Sequence, residues 1–184
     1  DLGISTTGVL YRSTIDLPVD AAVAITASHN PPEYNGFKIC QGKMPLGGED
    51  LQDIRRTFEA GEFRRGDGAY LSMDDYEDSY IGAIEESVGK PSREVRVVLD
   101  CGNAVPGPLA FRTLEKLGVD VIPIYCDWDN SFPNHPPDPT RQENMIDLGK
   151  AVVEHGAEFG IGMDGDGDRL GVVDENGNFI HPDR

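Results

Sequence analysis

Positive charge is scarce in this sequence. Of its 184 residues, 16 are Lys or Arg and 33 are Asp or Glu, a formal net charge of −17. So acidic a surface excludes nucleic acid and anionic membranes as partners, and it repels small anions at long range. Any phosphate site must therefore be locally positive or assisted by a metal. Cysteine is scarce as well. Cys40, Cys101 and Cys126 make an odd number with no C-x-x-C pair, which excludes a zinc ribbon or a disulfide framework. Cys101 and Cys126 end apolar runs and read as buried free thiols. No stretch resembles a signal peptide or a spanning helix, so the expected location is cytoplasmic. G-x-S-x-G is absent, which argues against an α/β-hydrolase. There is no internal repeat and no low-complexity segment. The chain begins at Asp1 without an initiator Met and stops at Arg184, which points to a piece of a longer protein.

Hydrophobic residues make up 38%, and 22 Gly bring the apolar share to the ordinary globular level. Ala21 to Thr26 reads as a buried strand feeding a loop, and Phe37 to Cys40 as its return. Leu51, Ile54 and Phe58 have helical spacing, and so do Tyr76, Tyr80, Ile84 and Val88. Residues 89–94 break the pattern and read as a linker. Val95 to Asp100 is a strong strand, Pro108 is expected to open a helix that ends near Gly118, and Val119 to Tyr125 is the next strand. A rigid loop with four prolines spans Asn130 to Thr140, followed by a helix from about Gln142 to His155. Ala157–Met163 and Leu170–Asp174 are strands, and Asn176-Gly177 turns the chain into Asn178–Ile180. The expected fold is therefore α/β, with mixed β-sheets flanked by helices.

The sharpest feature is Asp164-Gly165-Asp166-Gly167-Asp168-Arg169, directly after an apolar strand. Three clustered carboxylates repel unless a cation neutralises them, and oxygen-only ligands suit a hard divalent ion. Glycine spacers let the three side chains converge. An EF-hand fails, because Arg169 stands where that loop needs Gly and the flanks are strands. A haloacid-dehalogenase-type phosphatase, with Asp164 as nucleophile, is an alternative, although there the motif comes early in the chain. A non-catalytic divalent-metal-binding domain is another. Gly160-x-Gly162-x-x-Gly165 matches a dinucleotide fingerprint only formally, since no helix follows it.

The second feature is Thr26-Ala27-Ser28-His29-Asn30-Pro31-Pro32, a serine presented after a strand on a constrained loop. Phosphoryl transfer needs positioning, a cation and charge stabilisation more than a strong base. One serine, one metal loop and a few cations meet those needs.

Together, and in this order, the two loops resemble the phosphoserine and magnesium loops of the α-D-phosphohexomutase superfamily. Glu33 to Ile39, Asp100-Cys101-Gly102-Asn103, Phe132-Pro133-Asn134-His135 and the closing Pro182-Asp183-Arg184 extend the likeness, which is nearest to the bifunctional bacterial phosphomannomutase/phosphoglucomutase branch. The resemblance implies two domains of a four-domain enzyme. Residues 1–90 would be the later part of domain 1. Residues 91–184 would be domain 2, with its end at the entry to domain 3. It also implies reversible transfer between hexose 1-phosphate and hexose 6-phosphate, of mannose and/or glucose. Transfer would run through a phosphoserine at Ser28 and a hexose 1,6-bisphosphate, with glucose 1,6-bisphosphate as activator. Mg²⁺ would be held by Asp164, Asp166 and Asp168 and by an oxygen on Ser28. His29, Lys38 and Arg169 would handle protons and phosphate. His135 and Asn30 read as structural. Ala104, after Gly102-Asn103 at a backbone turn, and Gly8, where Pro often follows the early Thr, depart from the family's pattern.

Overall fold

The computed structural model describes residues 1–73 and 75–181. The Pro182-Asp183-Arg184 part of the likeness lies outside them. The first region runs α1 (Thr7–Asp16), β1 (Ala21–Ile25), β2 (Phe37–Gln41), β3 (Met44–Pro45) and α2 (Gly48–Ala60). β1, β2 and β3 form an antiparallel sheet in that order, with Ala22 opposite Cys40 and Ile25 opposite Phe37. β1 is not the buried strand its apolar run predicts. Val23 and Ile25 are more than half exposed.

α1 carries no clear apolar stripe, yet it buries Thr7, Val9, Leu10, Ser13 and Thr14. Two of these hydroxyls are satisfied within the helix. Ser13 donates to the Leu10 carbonyl at 2.7 Å and Thr14 to the Tyr11 carbonyl at 2.8 Å.

The second region runs α3 (Tyr76–Val88), β4 (Arg96–Asp100), α4 (Pro106–Lys116), β5 (Asp120–Ile124), a 3₁₀ turn (Gln142–Met145), α5 (Ile146–His155), β6 (Phe159–Met163), β7 (Leu170–Val173) and β8 (Phe179–Ile180). The sheet order is β5-β4-β6-β7-β8. β4 is parallel to β5 and β6, while β6–β7 and β7–β8 are antiparallel, so the expected mixed sheet is present. α4 starts at Pro106 and not at Pro108. Val105 already has helical backbone, and a proline among the first residues of a helix gives up an N–H that has no partner there anyway.

Val98, Leu148, Val152 and Val173 form a sealed core between the sheet and α5. Gly160 and Gly162 alternate with Ile161 along β6. A Cβ at either would run into Leu148 or the tip of Met145, so these glycines serve close packing and not a nucleotide. A second cluster of Val9, Tyr76, Ile81 and Leu109 joins α1, α3 and α4 and so ties the two regions together. Cys40 and Cys101 are buried and Cys126 partly so, all as free thiols. Among the described residues no helix is long and apolar enough to cross a membrane.

Candidate active site

The serine loop and the aspartate loop meet where the two regions touch. β1 and β2 hold the ends of the serine loop, with the Thr26 N–H on the Gly36 carbonyl at 3.0 Å. Ser28 has φ 55°, the left-handed region that a non-glycine residue enters at a cost of about 1 kcal/mol. Its carbonyl lies directly against Gly165. Any side chain at Gly165 would collide with that carbonyl, so this glycine permits the loops to touch backbone to backbone.

All the residues expected at the site converge. The Ser28 Oγ donates to Asp164 Oδ2 at 2.8 Å and lies 3.1 Å from His29 Nδ1. His29 Nε2 lies 3.2 Å from Arg169 Nη1. A guanidinium can only donate, so Nε2 is the acceptor and the proton of a neutral His29 sits on Nδ1, pointing to Ser28. The result is a directed chain from Arg169 through His29 and Ser28 to Asp164.

Asp164 is fully buried and Asp166 nearly so, at 0% and 3% exposure. Asp164 Oδ1 accepts the N–H groups of Asp168 and Arg169 at 2.9 and 3.0 Å. Burial pushes the Asp164 carboxyl up. The Arg169 N–H and the Ser28 hydroxyl oppose this, and the neighbouring Asp166 and Asp168 reinforce it. Asp166 shifts the other way. Burial works upward there too, but the Lys38 ammonium and the Thr7 and Thr26 hydroxyls hold its carboxyl below the usual range. Lys38 Nζ lies 2.6 Å from Asp166 Oδ2 and 2.6 Å from Asp168 Oδ2. Burial alone would lower its pKa, and these two carboxylates outweigh that and raise it.

The three aspartates fit a divalent cation. One carboxylate oxygen from each lies within 4.8 Å of the others. Asp166 Oδ1 is buried and has no hydrogen-bond partner, an expensive arrangement for a carboxylate unless a cation takes that oxygen. An all-oxygen donor set suits Mg²⁺.

Thr7 was not legible as a site residue. It opens α1, and its hydroxyl reaches Asp166 Oδ2 at 2.8 Å across 159 positions of sequence. The only local signal is a hydroxyl at a helix start, which is commonplace. His135, expected to be structural, lies away from the two loops in its hydrogen bonds. Its ring sits 3.1 Å from the buried Asp100 carboxylate and 2.9 Å from the Pro136 carbonyl, tying the proline-rich loop to the end of β4.

Comparison with known proteins gives two family matches. Residues 1–65 match "Phosphoglucomutase/phosphomannomutase, alpha/beta/alpha domain I", and residues 78–177 match domain II of the same description. The whole chain is 41% identical to a phosphomannomutase/phosphoglucomutase of Pseudomonas aeruginosa. It is 39% identical to a phosphoglucomutase of Neisseria gonorrhoeae. It covers 39% of the first of these and 40% of the second, so it spans well under half the length of these relatives. A crystal structure of a phosphoglucomutase/phosphomannomutase family protein from Burkholderia thailandensis superposes over the whole chain with TM-score 0.93 at 38% identity, covering 41% of that chain.

Proposed function

From the premise that the chain belongs to the phosphoglucomutase/phosphomannomutase family, we propose that the full-length protein carries a phosphoryl group between the 1- and 6-positions of a hexose, mannose and/or glucose. Ser28 is the residue that holds it in between. The observation that carries this reading is the placement of Ser28. Its Oγ sits on Asp164, beside three carboxylates, with His29, Arg169 and Lys38 around the same loops.

In the forward step the bond from phosphorus to Ser28 Oγ breaks and a bond to the free sugar hydroxyl oxygen forms. The proton lost by the sugar hydroxyl is matched by one gained at Ser28 Oγ, giving a hexose 1,6-bisphosphate and free serine, and the reversal on the other phosphate regenerates phosphoserine. Glucose 1,6-bisphosphate activates by priming Ser28. Asp164, Asp166, Asp168 and an oxygen on Ser28 would hold Mg²⁺, which supplies positive charge where phosphoryl oxygens gather it. Lys38 is held as a cation and suits phosphate contact and proton delivery. Arg169 offers a planar fork for phosphate and fixes the His29 tautomer. His29 orients the Ser28 hydroxyl. The serine loop stands on the first of the two domains and the aspartate loop on the second, with α3 on the side of the second. The partners are small hexose phosphates, with no role for nucleic acid or membrane, and the location is cytoplasmic.

The haloacid-dehalogenase alternative is less well supported. Asp164 is fully buried, its Oδ1 is taken by two backbone N–H groups, and the Ser28 hydroxyl stands against Oδ2 where a substrate phosphorus would have to approach. A metal module without catalysis leaves the Arg169–His29–Ser28 chain without purpose.

The test is a coupled mutase assay on the full-length parent protein. Glucose 1-phosphate, mannose 1-phosphate and glucosamine 1-phosphate are offered with Mg²⁺ and a trace of glucose 1,6-bisphosphate. Turnover of the first two by wild type and none by Ser28→Ala is expected. No turnover of any sugar by folded, phosphorylated protein would overturn the assignment.

A further inference from the structure

Asp166 has two oxygens in opposite circumstances. Oδ2 takes the Thr7 hydroxyl at 2.8 Å, the Thr26 hydroxyl at 3.2 Å and the Lys38 ammonium at 2.6 Å. Oδ1 takes nothing and is buried. The direction of each hydroxyl proton follows from its other contact. Thr7 Oγ1 lies 3.2 Å from Lys38 Nζ, which can only donate, so the Thr7 proton must go to Asp166. Thr26 Oγ1 accepts the Ser28 N–H at 2.9 Å, so its proton is likewise committed to Asp166. The backbone repeats the Thr7 link, with the Thr7 N–H on the Asp166 carbonyl at 2.9 Å. Thr7 is 1% exposed, so water cannot replace its hydroxyl.

We infer that Thr7 and Thr26 are positioning residues for the cation. They form a pair of hydroxyl clamps that saturate one oxygen of Asp166 and thereby present the other to the metal. Thr26 also grips the Ser28 backbone, so the same clamp sets the metal loop and the serine loop against one another. The inference rests on the metal reading above and goes beyond it, since neither threonine is a ligand. Outer hydrogen bonds of this kind orient ligating carboxylates, and their loss weakens metal affinity by about 10- to 100-fold.

The experiment measures Mn²⁺ binding to the full-length protein by calorimetry and by the electron paramagnetic resonance of free Mn²⁺, without sugar and without turnover. Wild type, Thr7→Val, Thr7→Ser and Thr26→Val are compared. Thr7→Val keeps the shape and removes the hydroxyl, and is expected to weaken Mn²⁺ by about tenfold or more. Thr7→Ser restores the hydroxyl and is expected to lie within about twofold of wild type, which a purely steric role for the threonine would not predict. Should Thr7→Val not fold, the half-buried Thr26→Val decides, with a loss of several-fold expected. Wild-type affinity in the folded valine variants would overturn the clamp while leaving the metal site intact. Absence of Mn²⁺ binding in wild type would overturn the metal reading itself.

Discussion

Around β1–β3 the large side chains stand in the open, and around β4–β8 they are sealed. Val23, Ile25, Phe37, Met44 and Phe58 are each more than half exposed, and α2 buries no residue at all. Val97, Val98, Leu99, Leu148 and Val152 are at 1% exposure or less. The serine loop and the aspartate loop are divided between these regions. Ser28 and Lys38 stand on the thinly packed one, and the aspartates on the sealed one. Ser28 therefore takes its position less from its own sheet than from what it touches across the junction, namely Asp164, Gly165 and, through Thr26, Asp166. A poorly buried element can still be placed accurately when polar contacts index it against a rigid one.

Substitutions can break or sharpen this contrast. The largest effect belongs to Ser28→Ala in the full-length protein, where turnover should fall about 10⁴-fold with little change in the melting curve. A near-normal rate would remove Ser28 from the chemistry. Next comes Leu148→Ala in the sealed core, expected to cost about 3 kcal/mol in denaturant unfolding. A loss below about 1 kcal/mol would mean that this core is looser than its burial implies.

Gly165→Ala tests the junction. With a methyl group driven into the Ser28 carbonyl, the two loops must separate, and kcat should drop about 100-fold. An unchanged kcat would show that the contact does not set the reacting geometry.

His135→Ala is expected to cost about 2 kcal/mol at pH 6, because it leaves the buried Asp100 unpaired. The cost should shrink toward pH 9. Burial disfavours the His135 charge, but Asp100 and the Pro136 carbonyl outweigh burial and raise its pKa above the ordinary 6.5. The pair's contribution is thus complete below that value and fades as pH rises through the raised one. Unfolding free energies across pH 6–9 check this, and parallel wild-type and variant profiles would refute it. The smallest effect is Ile54→Ala on α2, within about 0.5 kcal/mol. A larger loss would show that α2 is packed more firmly than its exposure indicates.

The sequence exposed the sealed region well and the thin one poorly, for physical reasons. β4, β6 and α5 are legible because apolar runs and terminal glycines report burial directly, as at Val95–Asp100 and Gly156. α1 leaves no such mark, since it buries hydroxyls that bond back to its own carbonyls. β1 has the composition of an inner strand, but burial depends on what lies above it, which local composition does not encode. At the site, the three aspartates and Ser28 stand out because their types crowd into two short motifs, whereas Lys38 lies outside both and, like the roles of His29 and Arg169, is expected there from the family resemblance. Thr7 was not legible, because its meaning arises only when position 7 meets position 166.

The seam between the two loops also has a mechanical consequence. It is crossed by the Thr7, Thr26, Ser28 and Lys38 contacts, by Arg169 on His29, and by Gly167 wedged against Thr6 and Pro106. A pivot placed there would have to unfasten all of these at once, and with them the arrangement of the candidate site. The two regions are therefore fastened to one another as a single anvil.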